Sequence, residues 1–338
     1  MSRLPPGGAI LLGLLAIAAS VGGQPAGSQP DPPARGAASG PGPRLAAAAD
    51  RPWFRSAVEL VALEVCVKDR NGRFVGSLTP DDFLVLEDGI VQSVSLFVPE
   101  GLAPLAVALV IDRSSSMEGA RLGRAKAAAT AFLGALQADD LVELITFNGR
   151  VARPVPLGAS RQAAADAIDG LVAGGQTSLF EAIAVGVHDL ERFAPRAGVD
   201  YRKALVVLSD GEDTSSRLAF EDLLDDARRS GVLVYTISLR TDKAGRWLTA
   251  PYHLTSLARD TGGRVISVQD IESLTTIYKD IAAELRHLYR LGYVPSRAER
   301  DGAWRTVAVR VRNRSLHVRT RAGYYAPRAP SAFLERRR

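Results

Sequence analysis

The two ends of the folded part of the chain alternate apolar and polar residues with a period of two, while the middle follows another rule. In "VELVALEVCVKD" one face carries Val61, Leu63, Val65 and Val67, and the other Ala62, Glu64, Cys66 and Lys68. Such alternation reads as a half-buried strand. The Asn-Gly of "RNGR" and the Asp-Gly of "LEDGIV" supply turns, so residues 53–99 predict an antiparallel β segment of short strands. Cys66 falls on the more polar face and is expected to be a partly exposed free thiol. The alternation returns over residues 288–327: Val307, Val309 and Val311 oppose Arg310 and Arg312, and Leu316 and Val318 oppose His317, Arg319 and Arg321.

Between these flanks, residues 100–287 alternate buried-strand runs with helical periods. "LAVALVID", "DLVELITFN", "KALVVLSDG" and "GVLVYTISL" are uninterrupted apolar strands, the pattern expected where both faces of a sheet are covered. "RVARPVPLG" reads as an edge strand because it carries a proline, and "GGRVIS" as a last short strand. Helices are expected over "GARLGRAKAAATAFLGALQ", near Arg161–Leu171, in "SLFEAIAVGVHDLERF", in "AFEDLLDDARRS" and in "DIESLTTIYKDIAAELRHL". The fold class this predicts is α/β, a Rossmann-like, doubly wound and mainly parallel sheet. Neither flank has enough strands to stand alone. Pairing the two into one small β-sandwich-like domain, with the α/β domain inserted between them, leaves fewer open edges.

The N-terminus adds an export reading. Residues 1–23 hold an apolar core from Ala9 to about Val21 behind Arg3, too short for a span of about 20 residues but suited to a secretory signal peptide. Residues 24–52 are almost wholly Pro, Gly, Ala, Ser and Arg, the composition of a disordered linker. No other stretch reaches membrane-spanning length, so the mature chain is expected to carry no membrane span. Cys66 is the single cysteine, which excludes an intramolecular disulfide, and the four histidines match no zinc spacing. The net charge of +5 divides unevenly. From Arg286 onward there are fourteen arginines, no lysine and three acids, including a basic tail at 328–338, while the preceding residues sum to −6. An acidic body with a basic end excludes a uniformly basic nucleic-acid binder and suggests an electrostatic partner surface.

The candidate chemistry lies in three loops at or beside the carboxyl ends of strands, where open parallel sheets bind ligands. "DRSSS" brings Asp112, Ser114 and Ser116, "GGQTS" brings Thr177, and "SDGED" brings Asp210. Two carboxylates and three hydroxyls form a hard, all-oxygen set suited to octahedral Mg²⁺ or Mn²⁺. So few anionic ligands leave an open position that a partner's carboxylate could fill. Glu212 and Asp213 in the same loop are expected to be solvated.

Asp-x-Ser-x-Ser, a Thr in a Gly-rich loop and an Asp ending a later strand together resemble the metal-ion-dependent adhesion site of von Willebrand factor type A domains. The resemblance runs from about Pro104 to Leu288. The flanks, "DFLVLEDGIVQSVSLF" and "LYRLGYVP…GYYAP", look like those of bacterial exported proteins related to von Willebrand factor A. Ser115 stands where many relatives carry Gly, and Arg113 in the free position of the motif. The resemblance implies that Ser114, Ser116 and Thr177 bind a divalent cation directly or nearly so, with Asp112 and Asp210 acting directly or through water. It favours Mg²⁺ with Mn²⁺ or Ca²⁺ as alternatives, and the ion would bridge to an acidic residue of a partner protein.

Other chemistries lack their residues. "RSSSM" has no nucleophile-elbow glycines, "GGQTS" has no P-loop lysine, and Ser114 stands where a phosphotransfer site would carry a second aspartate. Metal-assisted hydrolysis would need a general base that the sequence does not show. The reading is therefore an exported, non-catalytic adhesion or protein-interaction module, periplasmic or extracellular. A scaffold for envelope assemblies is the alternative use of the same site. The arginine face of Arg310, Arg312, Arg319 and Arg321 reads as a solvated sheet face or as a surface for an anionic envelope polymer.

Overall fold

The N-terminal flank supplies strands β1 (Val61–Lys68), β2 (Phe83–Glu87), β3 (Ile90–Gln92) and β4 (Val94–Val98) in the computed structural model. The structure describes residues 60–194, 198–210, 212–242 and 244–328. The expected signal peptide, the linker and the tail beyond Arg328 lie outside them. The β2–β3 hairpin turns on Asp88 and Gly89, at φ of 47° and 83°, the paired positive φ that a tight two-residue hairpin requires and that Asp-Gly tolerates.

The middle of the chain winds β5 (Leu105–Asp112), α1 (Ala120–Ala135), β6 (Leu141–Phe147), β7 (Val151–Val155), α2 (Arg161–Asp169), α3 (Leu179–Arg192), β8 (Arg202–Ser209), α4 (Phe220–Ser230), β9 (Leu233–Ser238), α5 (Tyr252–Thr261), β10 (Val265–Ser267) and α6 (Leu274–Arg286). The sheet order is β10-β9-β8-β5-β6-β7. All pairs are parallel except β6–β7, where the proline-bearing β7 closes an edge. Every residue of β5 is buried, and its alternate side chains serve two cores. Leu105, Val107, Leu109 and Ile111 pack with Leu122, Phe132, Ala164, Tyr278 and Ile281 from α1, α2 and α6. Ala106, Ala108 and Val110 pack with Ile183, Leu190, Leu223 and Leu257 from α3, α4 and α5. This is the doubly wound α/β architecture. Helix α5 was not among the predicted elements, although Leu254, Leu257 and Ala258 share one face and Gly262 ends the helix at φ 84°. Only ten residues long, it follows a segment without periodicity and its signal is local.

The C-terminal flank adds β11 (Leu288–Tyr293), β12 (Trp304–Val311), β13 (His317–Arg319) and β14 (Gly323–Tyr325). Strands of the two flanks interleave in two four-stranded sheets, β13-β1-β11-β4 and β14-β12-β2-β3. Val61, Leu63, Val65 and Val67 of β1 share one core with Val85, Tyr289, Leu291, Val307, Val309 and Val311. Within that core Glu87 is 2% exposed. It accepts hydrogen bonds from the hydroxyls of Tyr293 and Tyr324 at 2.7 and 2.8 Å and from Arg305 at 3.2 Å, so its charge is satisfied.

The second face of β1 corrects a sequence expectation. Cys66 is 3% exposed and belongs to the α/β core; it is not a surface thiol. The polar positions of β1 point at the α/β body because charges from that body meet them. Arg202, 1% exposed, donates to Glu64 at 2.7 Å and to the carbonyls of Leu285 and Leu288 at 2.6 and 3.0 Å. Arg290 also donates to Glu64, at 2.6 Å. Lys68 and Arg319 both pair with Glu284 of α6, which is fully buried. Polar alternation here marks an ion-paired interface, not solvent.

Candidate metal centre

Strands β5 and β8 are neighbours in register up to Ile111↔Leu208, so their carboxyl ends put Asp112 beside Ser209 and Asp210. Asp112 is fully buried and Asp210 is 8% exposed. Asp112 Oδ1 accepts the amide of Ser114 at 2.8 Å, and Oδ2 accepts the hydroxyl of Ser209 at 2.7 Å. Ser209 was not foreseen as a site residue; its only signal in the sequence is its place directly before Asp210. Burial pushes the Asp112 carboxyl up to about 6 and the Asp210 charge adds to this, against the hydrogen bonds from Ser114 and Ser209. The described partners of Asp112 are hydroxyl and amide donors; among the described residues no cation pairs with it.

Ser114 is 1% exposed, and its Oγ lies 3.0 Å from that of Ser116, which sits at the open mouth of the loop. Two oxygens on one edge of an octahedron with 2.0–2.1 Å metal–oxygen bonds are about 3 Å apart. The pair thus has the spacing of adjacent ligands to a small hard cation.

Thr177 is 5% exposed and is tied to the cluster through the loops. Gly174 and Gly175, at φ of 151° and 91°, hold a backbone that other residues adopt at a cost. From it Gly174 donates to the carbonyl of Arg113 at 2.8 Å, and Gly175 donates to Ser115 Oγ at 3.0 Å. Ser115 returns a bond to the Gly175 carbonyl at 3.0 Å. A glycine at position 115 would lose one of these links. Asn148, which the sequence did not single out, braces the same loop by donating to the Gly174 carbonyl at 2.6 Å and accepting from Ser178 on its own carbonyl at 2.7 Å.

The third loop is tied to the second. The Thr177 carbonyl accepts the amides of Thr214 and Ser215, and the Thr177 amide donates to Thr214 Oγ1 at 3.0 Å. Asp213 has a defined task in place of the solvated state expected for it. Its Oδ1 accepts the amide of Leu179 at 2.8 Å, satisfying an open donor at the start of α3. The partners are 34 residues apart, beyond the reach of a local capping rule. Glu212 is exposed, as read from the sequence. Among the described residues no group of three or more His, Cys, Asp or Glu could hold a metal. A site here depends on hydroxyls, as the five named residues would provide.

The matching profile is the von Willebrand factor type A domain, over residues 106–280. The chain belongs to that family. Von Willebrand factor A domains commonly hold a divalent cation at a metal-ion-dependent adhesion site and mediate protein–protein interaction. The uncharacterized protein sll0103 of Synechocystis sp. is 32% identical over 112 residues, 32% of this chain and 26% of that protein; the chain therefore spans about a quarter of that relative. Among solved structures, a von Willebrand factor type A protein from Catenulispora acidiphila aligns with a TM-score of 0.48 at 15% identity, covering 81% of this chain and 64% of its own. An aerotolerance-related membrane protein from Bacteroides fragilis aligns at 0.42 and 19% identity, covering 53% and 99%. Proximal thread matrix protein 1 from the mussel byssus, with a zinc-occupied adhesion-site motif, aligns at 0.45 and 19% identity, covering 58% and 48%.

The arginine set of the C-terminal strands divides. Arg310 and Arg312 are exposed on and just after β12. Arg319 is tied to the buried Glu284 and donates to the Gly262 carbonyl at 2.9 Å. Arg321 stacks over Tyr324 at 5.4 Å. The four do not form one solvent-facing row, because β13 pairs with β1 against the α/β body instead of extending the outer sheet.

Proposed function

We propose that this von Willebrand factor A protein is an exported, non-catalytic module that binds a carboxylate of a partner protein through a divalent cation. Asp112, Ser114, Ser116, Thr177 and Asp210 would hold the ion. The observation that carries this reading is the buried Asp112 with Asp210 beside it, partnered by neutral donors. Two carboxylates in a low-dielectric pocket are costly without a compensating positive charge, and the nearby hydroxyls are suited to supply the rest of a hard oxygen shell. Magnesium fits best, with manganese or calcium as alternatives.

When bound, the ion supplies the Lewis acidity that accepts a partner's carboxylate oxygen. The chain's own residues do the positioning. Ser209 and the Ser114 amide fix both oxygens of Asp112, the Gly174–Gly175 backbone joins the first loop to the second, and Thr214 joins the second to the third. Ser116, exposed at the mouth, lies where a partner would approach. Export is supported by the apolar segment of residues 9–21; among the described residues no helix is long and apolar enough to cross a membrane. The test is calorimetric titration of Mg²⁺ and Mn²⁺ into chelator-treated protein. One saturable site that is lost in Asp112→Ala and in Thr177→Ala is the expected outcome; equal binding by wild type and both variants would overturn the assignment.

A further inference from the structure

A cleft of about 890 Å³ opens where the sandwich meets the amino-terminal ends of β8 and β9, the opposite end of the sheet from Asp112. None of the five proposed metal-site residues lines it. Its volume is that of a ligand site, and nine cationic side chains line it against three carboxylates, of which Glu64 and Asp200 are held by Arg290 and Glu299 by Arg297. Arg228, Arg290 and Arg305 also line the cleft, but each has its acid, namely Asp260, Glu64 and Glu87. Lys203, Arg229 and Arg321 line the same cleft without one: among the described residues no carboxylate forms an ion pair with any of the three. Lys203 donates to the carbonyls of Glu191 and Phe193 at 3.1 and 3.2 Å, and Arg229 lies 3.9 Å over the Tyr325 ring. The Nε atoms of Arg321 and of Arg305, the latter 2% exposed, are buried without a hydrogen-bond partner.

One strip of the wall is apolar. Leu60, Leu96 and Val294 line the cleft while remaining 42%, 36% and 44% exposed, and Leu60 and Leu96 meet over Gly292. Three unpaired cations beside an exposed apolar strip call for a ligand that is both anionic and apolar. Polyphosphate, nucleic acid and anionic polysaccharide bring the charge but nothing to cover the leucines. The chain itself does not bring the charge. Its first 59 residues hold five arginines against three acids, and its last ten hold three arginines against one acid.

We propose that this cleft binds an extended acidic segment of a partner protein. Its carboxylates pair with Lys203, Arg229 and Arg321, and its apolar side chains cover Leu60, Leu96 and Val294. The site is separate from the metal centre and works without metal.

The test is fluorescence anisotropy of a labelled ten-residue peptide of alternating glutamate and leucine against the full chain in EDTA, so that failure of the metal reading does not affect it. The expected result is saturable binding that weakens at least about tenfold in Arg229→Glu and falls with added salt, with no saturation by the glutamine–leucine counterpart. Arg229 is exposed, so its variant is expected to fold. Any of four results would overturn the proposal. These are no saturation up to about 1 mM, binding indifferent to Arg229→Glu, equal competition by polyphosphate, or concentration-dependent dimers that Arg229→Glu abolishes, which would make a second copy the occupant.

Discussion

Replacing Arg202 by methionine removes the side chain that fastens the inserted α/β domain to the sandwich, while keeping most of its apolar stem. Arg202 is 1% exposed and donates to Glu64, Leu285 O and Leu288 O at 2.7, 2.6 and 3.0 Å. A hydrogen bond from a charged donor contributes about 1.5–3 kcal/mol. The three share one guanidinium, so they do not add fully, and Glu64 keeps Arg290 at 2.6 Å. What remains is two buried carbonyls without this donor and a carboxylate missing one of its two cations, a loss of about 3–5 kcal/mol. For a body of this size that lowers Tm by roughly 5–9 °C. Urea denaturation followed by circular dichroism reads the difference directly. A double-mutant cycle with Glu64→Gln should return a coupling of about 1–3 kcal/mol. A loss below about 1 kcal/mol would refute the reasoning, since it would mean that the junction is held by apolar packing and that the ion pairs only decorate it.

Three further outcomes are expected. Glu143 is 2% exposed, and burial pushes its carboxyl up to about 8, with the Asp189 charge adding and Arg153 opposing. Between about pH 4.5 and 8 the folded state therefore holds a proton that the unfolded state has released, and stability falls as pH rises, by at most about 1.4 kcal/mol per unit. Glu143→Gln should flatten that slope and stabilise the protein at pH 8, as measured by thermal melts across the range; an unchanged slope would count against the buried proton. The Cys66 thiol is buried and pushed up by burial, with the Glu284 charge adding. It should react with a disulfide reagent at least about a hundredfold more slowly in native protein than in urea, and equal rates would contradict its place in the core. Gly263→Ala would set a methyl 2.0 Å from the Val234 carbonyl oxygen on β9. The strand backbone must shift to admit it, so melts should show a loss of about 1–3 kcal/mol; a neutral result would mean that the two backbones lie further apart.

The α/β core was legible because β5, β6, β8 and β9 are buried on both faces, and continuous apolar runs such as "LAVALVID" have few other readings. The edge strand β7 announced itself through Pro154. The order of the sheet and the crossing of the two flanks involve pairs such as Val61↔Tyr293, separated by the whole inserted domain, and no local pattern encodes them. Cys66 and Arg319 show the limit of period-two reasoning. The pattern separates two faces of a strand, but only the tertiary partner decides whether the polar face meets water or an ion-paired wall. At the candidate metal centre, the named oxygens stand out because strand ends and glycines frame them. The residues that brace them do not. Ser209, Asn148 and Asp213 act across 97, 26 and 34 residues of sequence, through bonds that exist only once the sheet has formed.

The central claim is that the oxygens at the ends of β5 and β8 hold one divalent cation. Anomalous diffraction from crystals grown with Mn²⁺ tests it most directly. The expected result is a single strong peak bonded to the hydroxyls of Ser114 and Ser116, with metal–oxygen distances near 2.2 Å, Asp112, Asp210 and Thr177 around it, and an open or water-filled position facing solvent. A protein that crystallises in the same solution with Asp112 still bonded to Ser209, and with no anomalous peak in this loop cluster, would contradict it.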